Sequence, residues 1–207
     1  MKPRWFYALR PDAHAAAQLG ALAARLAASV DGRPLSAGDM HLTLVFVGER
    51  PAEDEATLAG LLADLAPHWP AMALTRLGTF GRGLYWAGPT HPKGEPQADT
   101  ASPASSASPA SPAPPTLSAW PAQLTAQLQQ RLRAAGIAFD ERTLHLHATL
   151  VRGARRDARS ALTALAGALP IEPDSWTLAL GCSDAASTPQ RRYRWREAPA
   201  GQPHWAV

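Results

Sequence analysis

Apolar positions in this chain alternate between short runs and helical stripes. Arg4-Trp-Phe-Tyr-Ala-Leu9 reads as a buried strand. Asp12 to Ala28, rich in Ala, Leu and Gln, reads as a helix with Asp12 as its cap and Asp31-Gly32 as the turn that ends it. Leu35 to Asp39 is a loop leading into a strand from His41 to Val47, closed by Gly48. Pro51 and the acids Glu53, Asp54 and Glu55 mark the start of a helix over Ala52 to Leu65, since carboxylates favour the positive end of the helix dipole. Strands follow at Ala71 to Leu77 and around Leu84-Tyr-Trp86, with Gly81-Arg-Gly83 as a short hairpin connection.

The second half repeats this order. A helix over Ala119 to Ala135, stopped by Gly136, precedes a strand from His147 to Val151. Gly153, a helix over Arg156 to Leu169, and strands at Ser175 to Leu180 and Arg192 to Trp195 complete the copy. The pattern predicts an α+β protein built as a duplication. Two pseudo-symmetric α/β lobes, each with a mostly antiparallel sheet packed by helices, enclose a cleft and form one bilobal domain over 1–207. Residues 92–117 interrupt it. Seven prolines fall between Pro92 and Pro115, and the Ala101-Ser-Pro-Ala-Ser-Ser stretch has no large apolar side chain, so a disordered insertion is expected there. A fold tolerates such an insertion because loop-closure entropy grows slowly with length.

The repeat carries chemistry. Both copies contain one pentad, His41-Leu-Thr-Leu-Val and His147-Ala-Thr-Leu-Val. H-x-T alone is a weak signal, but valine is scarce here (Val30, Val45, Val47, Val151, Val207), and the doubled pentad is far more specific. On a strand, residues i and i+2 share a face, so each copy aims an imidazole and a hydroxyl the same way. Imidazole holds either protonation state near neutral pH. One ring of a pair can therefore take a proton from water while the other gives one to a departing oxygen. Hydroxyls of Thr43 and Thr149 suit the non-bridging oxygens of a phosphate. No carboxylate cluster accompanies the motifs, which points to metal-independent phosphodiester cleavage.

Composition narrows the setting. The chain has 207 residues, 46% of them hydrophobic, enough for a packed core. No apolar run approaches the ~20 residues of a spanning helix, and Met1 to Leu9 lacks a signal-peptide core. A soluble, cytoplasmic, monomeric protein is expected. Cys182 is the single cysteine, so neither an internal disulfide nor a cysteine-based zinc site is available, and it is expected as a small buried apolar group. The net charge is +3 and the pI near 9.5. Arginine supplies nearly all the positive charge, Lys2 and Lys93 being the only lysines, and arginine suits bidentate contact with phosphate.

The chain resembles the 2H phosphoesterase superfamily, named for paired H-x-T-x motifs, and within it the RNA 2′,3′-cyclic phosphodiesterases, also called 2′-5′ RNA ligases. The resemblance runs through Phe6-Tyr-Ala-Leu, His41-Leu-Thr-Leu-Val-Phe-Val-Gly, Gly78-Thr-Phe-Gly, Leu84-Tyr-Trp and His147-Ala-Thr-Leu-Val-Arg to the closing strands with Tyr193 and Trp195. It implies hydrolysis of a ribose 2′,3′-cyclic phosphate to the 2′-phosphate, reversible 2′-5′ ligation in some members, RNA ends or cyclic nucleotides as partners, and no cofactor or metal. It also implies His41 as proton donor to the leaving 3′ oxygen, His147 as the base, and Thr43 and Thr149 as phosphate holders. Where relatives commonly have proline before the second histidine, Leu146 stands here.

Three further residues are candidates. Arg152, an arginine position in many relatives, would bind phosphate, although strict alternation puts it on the face opposite His147. Phe46 and Trp86 would stack on a base or else pack in the core. By parity His145 shares the face of His147, at the solvent edge. Two rival functions use the same residues. A metallohydrolase on His41, His145 and His147 has no Asp or Glu beside it to complete a site. A non-catalytic nucleotide- or RNA-binding module would not require both histidines. A third reading gives the Pro/Ala/Ser stretch an interaction role.

Overall fold

The computed structural model describes residues 2–81, 83–90, 120–142, 145–156, 159–184, 188 and 192–199. The expected insertion at 92–117 lies outside the described residues. Among the described residues, nine strands form one sheet: β1 (Arg4–Pro11), β2 (Arg33–Pro34), β3 (Leu42–Glu49), β4 (His68–Trp69), β5 (Arg76–Phe80), β6 (Leu84–Gly88), β7 (Ala148–Arg152), β8 (Trp176–Ser183) and β9 (Arg194–Glu197). Four α-helices accompany them: α1 (Ala13–Val30), α2 (Glu55–Gly60), α3 (Trp120–Ala134) and α4 (Arg159–Leu165). The fold is α+β, and every strand pairing is antiparallel.

The long helices form where the sequence places them. The Asp12 carboxylate accepts the Ala15 N–H at 3.0 Å, capping α1. Asp31 ends it in the left-handed conformation, φ 50°. The buried stripe Ala15, Leu19, Leu22, Ala23, Leu26 and Val30 recurs at helical spacing and fixes the helix against the sheet, each leucine contributing roughly 1.5–3 kcal/mol. Leu124, Leu128 and Leu132 do the same for α3, and Gly136, φ 66°, stops it. The shorter helices fall short of their expected lengths. Ala52–Asp54 is a turn of 3₁₀ helix before α2, and α4 passes into another at Ala166–Ala168. The run at Ala71 to Leu77 yields only an isolated bridge, Leu74 to Ile171, before β5 begins.

Strand order is β4-β8-β1-β3-β7-β6-β5, with β9 beside β8 and β2 beside β7. Each side of the sheet draws on both halves of the chain. Strands β8 and β9, from the C-terminal half, complete the side built on β1 and β3, while β5 and β6, from the N-terminal half, flank β7. The two sides meet between β3 and β7 at a single ladder pair, Leu42 opposite Ala148.

Both motif strands carry the same irregularity. Along β1–β3, Tyr7 faces Val45 and Ala8 faces Thr43, so Leu44 is an extra residue. Along β6–β7, Tyr85 faces Val151 and Trp86 faces Thr149, so Leu150 is extra. Each is a β-bulge at the leucine of the pentad, and each reverses side-chain parity for the residues beyond it.

Candidate active site

The bulges decide which side chains share the cleft. Phe46 pairs with Phe6, and Thr43 with Ala8, so Thr43 and Phe46 lie on one face despite being three apart. The corresponding step in the second copy turns Arg152 to the cleft. Arg152 lines one pocket with His41, Thr43 and Phe46, which corrects the alternation that would have sent it to the far face. That pocket has a volume of about 200 Å³ and is completed by Arg4, Phe6, Ser183, Arg192 and Tyr193. The alternate set of β1 serves the core instead: Tyr7, fully buried, donates its hydroxyl to the Leu58 carbonyl of α2 at 2.7 Å.

Both histidines stand immediately before their strands and are held identically. The His41 Nδ1–H donates to the Asp39 carbonyl at 2.7 Å, and the His147 Nδ1–H to the His145 carbonyl at 2.6 Å. A carbonyl oxygen only accepts, so each Nδ1 keeps its proton and each Nε2 is left as the exchanging atom. Aromatic rings fix the planes. Around His41 stand Phe6, Tyr193 and Trp195, with ring centroids 5.1, 5.0 and 5.2 Å away. Phe80 meets His147 edge-on at 4.8 Å, and Trp86 lies 6.3 Å from it while stacking on Phe80. Trp86 therefore packs beside a motif histidine. Gly78, its partner on β5, leaves room for the indole, since a Cβ there would come within 2.2 Å of the ring.

Burial lowers the pKa of both imidazoles by penalising the charged ring; His41 falls from 6.5 to about 4. The carbonyl hydrogen bonds act in the opposite sense, and the positive charge of Arg152 adds to the lowering at both rings. The charge of His147 also lowers the pKa of His41. Thr149 is buried and Thr43 half-buried.

One carboxylate does stand near the first motif. Asp39, 2% exposed, accepts the backbone N–H of Arg192 at 3.0 Å, that of Tyr193 at 3.2 Å and the Ser36 hydroxyl at 2.9 Å. Its side chain fastens the segment before β9 beside His41, while its carbonyl orients the ring. The sequence marks Asp39 only as loop, offers Arg192 only as one of many arginines suited to phosphate, and gives no site role to Tyr193, Phe6, Phe80 or Arg4. Only the doubled motif offers a signal: Phe6 and Arg4 sit on the neighbouring strand β1, while Tyr193, Arg192 and Phe80 come from the half of the chain opposite to the histidine they stand near. His145 contributes its carbonyl to His147 and is half-buried. Among the described residues, no group of three or more His, Cys, Asp or Glu is placed to hold a metal ion, and no helix is long and apolar enough to cross a membrane. Cys182 is buried, which raises its thiol pKa to about 11.

Residues 9–89 match the model of a family described as LigT like phosphoesterase. That segment holds the first motif and ends before the second. Among solved structures, the chain is similar to E. coli LigT complexed with 3′-AMP at 24% identity, with 95% of each chain covered and a TM-score of 0.58. It is similar to a structure described as a phosphoesterase at 22% identity, 95% of each chain and TM-score 0.60. A protein of Thermus thermophilus matches at 18% identity, 94% of each chain and TM-score 0.57. These likenesses establish the fold. No curated protein matches the chain.

Proposed function

We propose that this chain, which carries a LigT-like phosphoesterase segment in its first half and that fold over its length, opens ribose 2′,3′-cyclic phosphates with its two motif histidines. The observation that carries the proposal is the twin tether. Two imidazoles, each just before one of two paired strands and each with Nδ1–H bound to the carbonyl two residues before it, keep Nε2 out of that bond and available for proton exchange. Water attacks phosphorus as His147 Nε2 takes its proton, and the bond from phosphorus to the 3′ oxygen breaks as protonated His41 delivers a proton to that oxygen. The product is the 2′-phosphate. The pair ends with its protonation exchanged and resets through solvent. Thr43 and Thr149 hydroxyls donate to the non-bridging oxygens, and Arg152 offsets the negative charge.

The lowered pKa of His41 fits this use. An isolated buried imidazole resists protonation, and an anionic phosphate brought beside it restores the charged form. The acid is thus armed by its substrate. No cofactor enters, and one polypeptide supplies every group. The direct test incubates the protein with a 2′,3′-cyclic nucleotide in excess EDTA and identifies the product isomer. A 2′-phosphate is expected. Loss of turnover on chelation, or a 3′-phosphate product, would overturn the reading.

A further inference from the structure

The pocket beside the first motif is larger than one reacting phosphate requires and lies to one side of it. Its walls include His41 and Thr43, whereas His147 and Thr149 do not line it. It takes in Arg152 of β7 and extends along β1 to Arg4. Arg4 is four residues from Ala8, the partner of Thr43, or about 13 Å of strand. At that end Arg4 pairs in register with Ser183 of β8, and Arg192 approaches from the segment that Asp39 fastens through its backbone N–H. Among the described residues, neither the Arg4 nor the Arg192 guanidinium makes an ion pair with a carboxylate, although Glu49 is Arg4's cross-strand partner. The pocket lining contains no Asp or Glu. Two arginines without an ion pair among the described residues, lining one small concave site together with Ser183, are suited to an anion. At about 200 Å³ the space is smaller than a whole small-molecule site of ~300–1,000 Å³, and suits a phosphate with the edge of a sugar.

We infer that Arg4, Arg192 and Ser183 form a second phosphate subsite, which receives the 5′-phosphate of the nucleotide whose 2′,3′-cyclic phosphate lies between the histidines. This rests on the function proposed above and narrows its substrate to a nucleotide with phosphate on both sides of the ribose, as at an RNA chain end. The reacting phosphate is served by the two pentads and Arg152, whereas the second is held by residues of β1, β8 and the segment before β9. A bare nucleoside cyclic phosphate leaves those two arginines unused.

Two measurements test it. In turnover, adenosine 2′,3′-cyclic phosphate is compared with its 5′-phosphorylated form and with a dinucleotide ending in the same cyclic phosphate. The last two separate a terminal monoester from an internucleotide diester. The expected kcat/KM favours the doubly phosphorylated substrates by about tenfold or more, the scale of one or two charged hydrogen bonds. The double variant Arg4→Gln, Arg192→Gln should bring that ratio to within about threefold of unity, and Arg4→Lys with Arg192→Lys should restore part of it. In binding, calorimetry with adenosine 2′-phosphate and adenosine 2′,5′-bisphosphate reads the same preference without turnover. Equal turnover and equal affinity across the ligands, or a preference that survives the double variant, overturns the subsite. Failure to hydrolyse any of the three substrates overturns the proposed function alone, and calorimetry then decides the subsite.

Discussion

Leu42 and Ala148, the second residues of the two pentads, face each other across the single ladder pair between β3 and β7. His41 and Thr43 flank that pair on one chain segment and His147 and Thr149 on the other. The one pair that joins β3 to β7 thus sets the two pentads side by side.

Removal of either ring should therefore stop the reaction instead of weakening it by degrees. His41→Ala and His147→Ala are each expected to lose at least about a hundredfold in kcat on a 2′,3′-cyclic nucleotide. The double variant should fall well short of the product of the two losses, because acid and base act in one step. Steady-state rates of the three variants check this, and near-normal turnover in either single variant contradicts the paired mechanism.

The pH profile should reflect the lowered pKa values. The base works only neutral, so kcat/KM rises as pH climbs through its pKa. The acid works only protonated, so kcat/KM falls as pH climbs through its own. Burial first, and the Arg152 charge with it, put both below the usual imidazole value of 6.5, and the maximum of kcat/KM is expected below that pH. Arg152→Gln removes a positive charge from both rings. It should move the maximum to higher pH while reducing the rate, whereas a purely structural role for Arg152 would reduce the rate with no shift.

Acid should also destabilise the fold through His41. A histidine with a lower pKa in the folded state binds its proton more readily when unfolded. Stability is then complete above about pH 6.5 and is lost as pH falls towards 4. A shift from 6.5 to about 4 corresponds to on the order of 3 kcal/mol. Urea unfolding at several pH values measures the slope, and His41→Gln should flatten it. An unchanged slope in that variant would show that His41 is not the group responsible.

Gly78→Ala probes the support beneath His147. The new Cβ would meet the Trp86 ring at 2.2 Å, so the indole must move and take Phe80 and His147 with it. A stability loss of about 1–3 kcal/mol is expected, with a fall in kcat larger than the change in KM. Unfolding curves and kinetics read the two effects separately.

Much of the arrangement was legible in the sequence because it rests on local signals. Asp12 caps α1, the leucine stripe buries it, Gly136 stops α3, and the doubled pentad locates both histidines and both threonines. The illegible part depends on long-range register. Strict alternation misplaces Arg152 because nothing in the second pentad marks Leu150 as bulged. Asp39 and Tyr193 are 154 positions apart and meet only because β9 crosses to the far side of the sheet. The helices α2 and α4 are shorter than the pattern suggests because their apolar runs continue into 3₁₀ turns and loops.

The exchange of strands between the two halves of the chain has a consequence for how the molecule holds together when cut. With the backbone severed between Thr90 and Trp120, the first fragment would keep β5 and β6 but lose β7, which they flank, and the second would keep β8 and β9 without β1. Each fragment supplies what the other lacks, like two clasped hands. This makes the chain a natural candidate for split-protein reconstitution, in which catalytic signal reports the reunion of two separately expressed pieces.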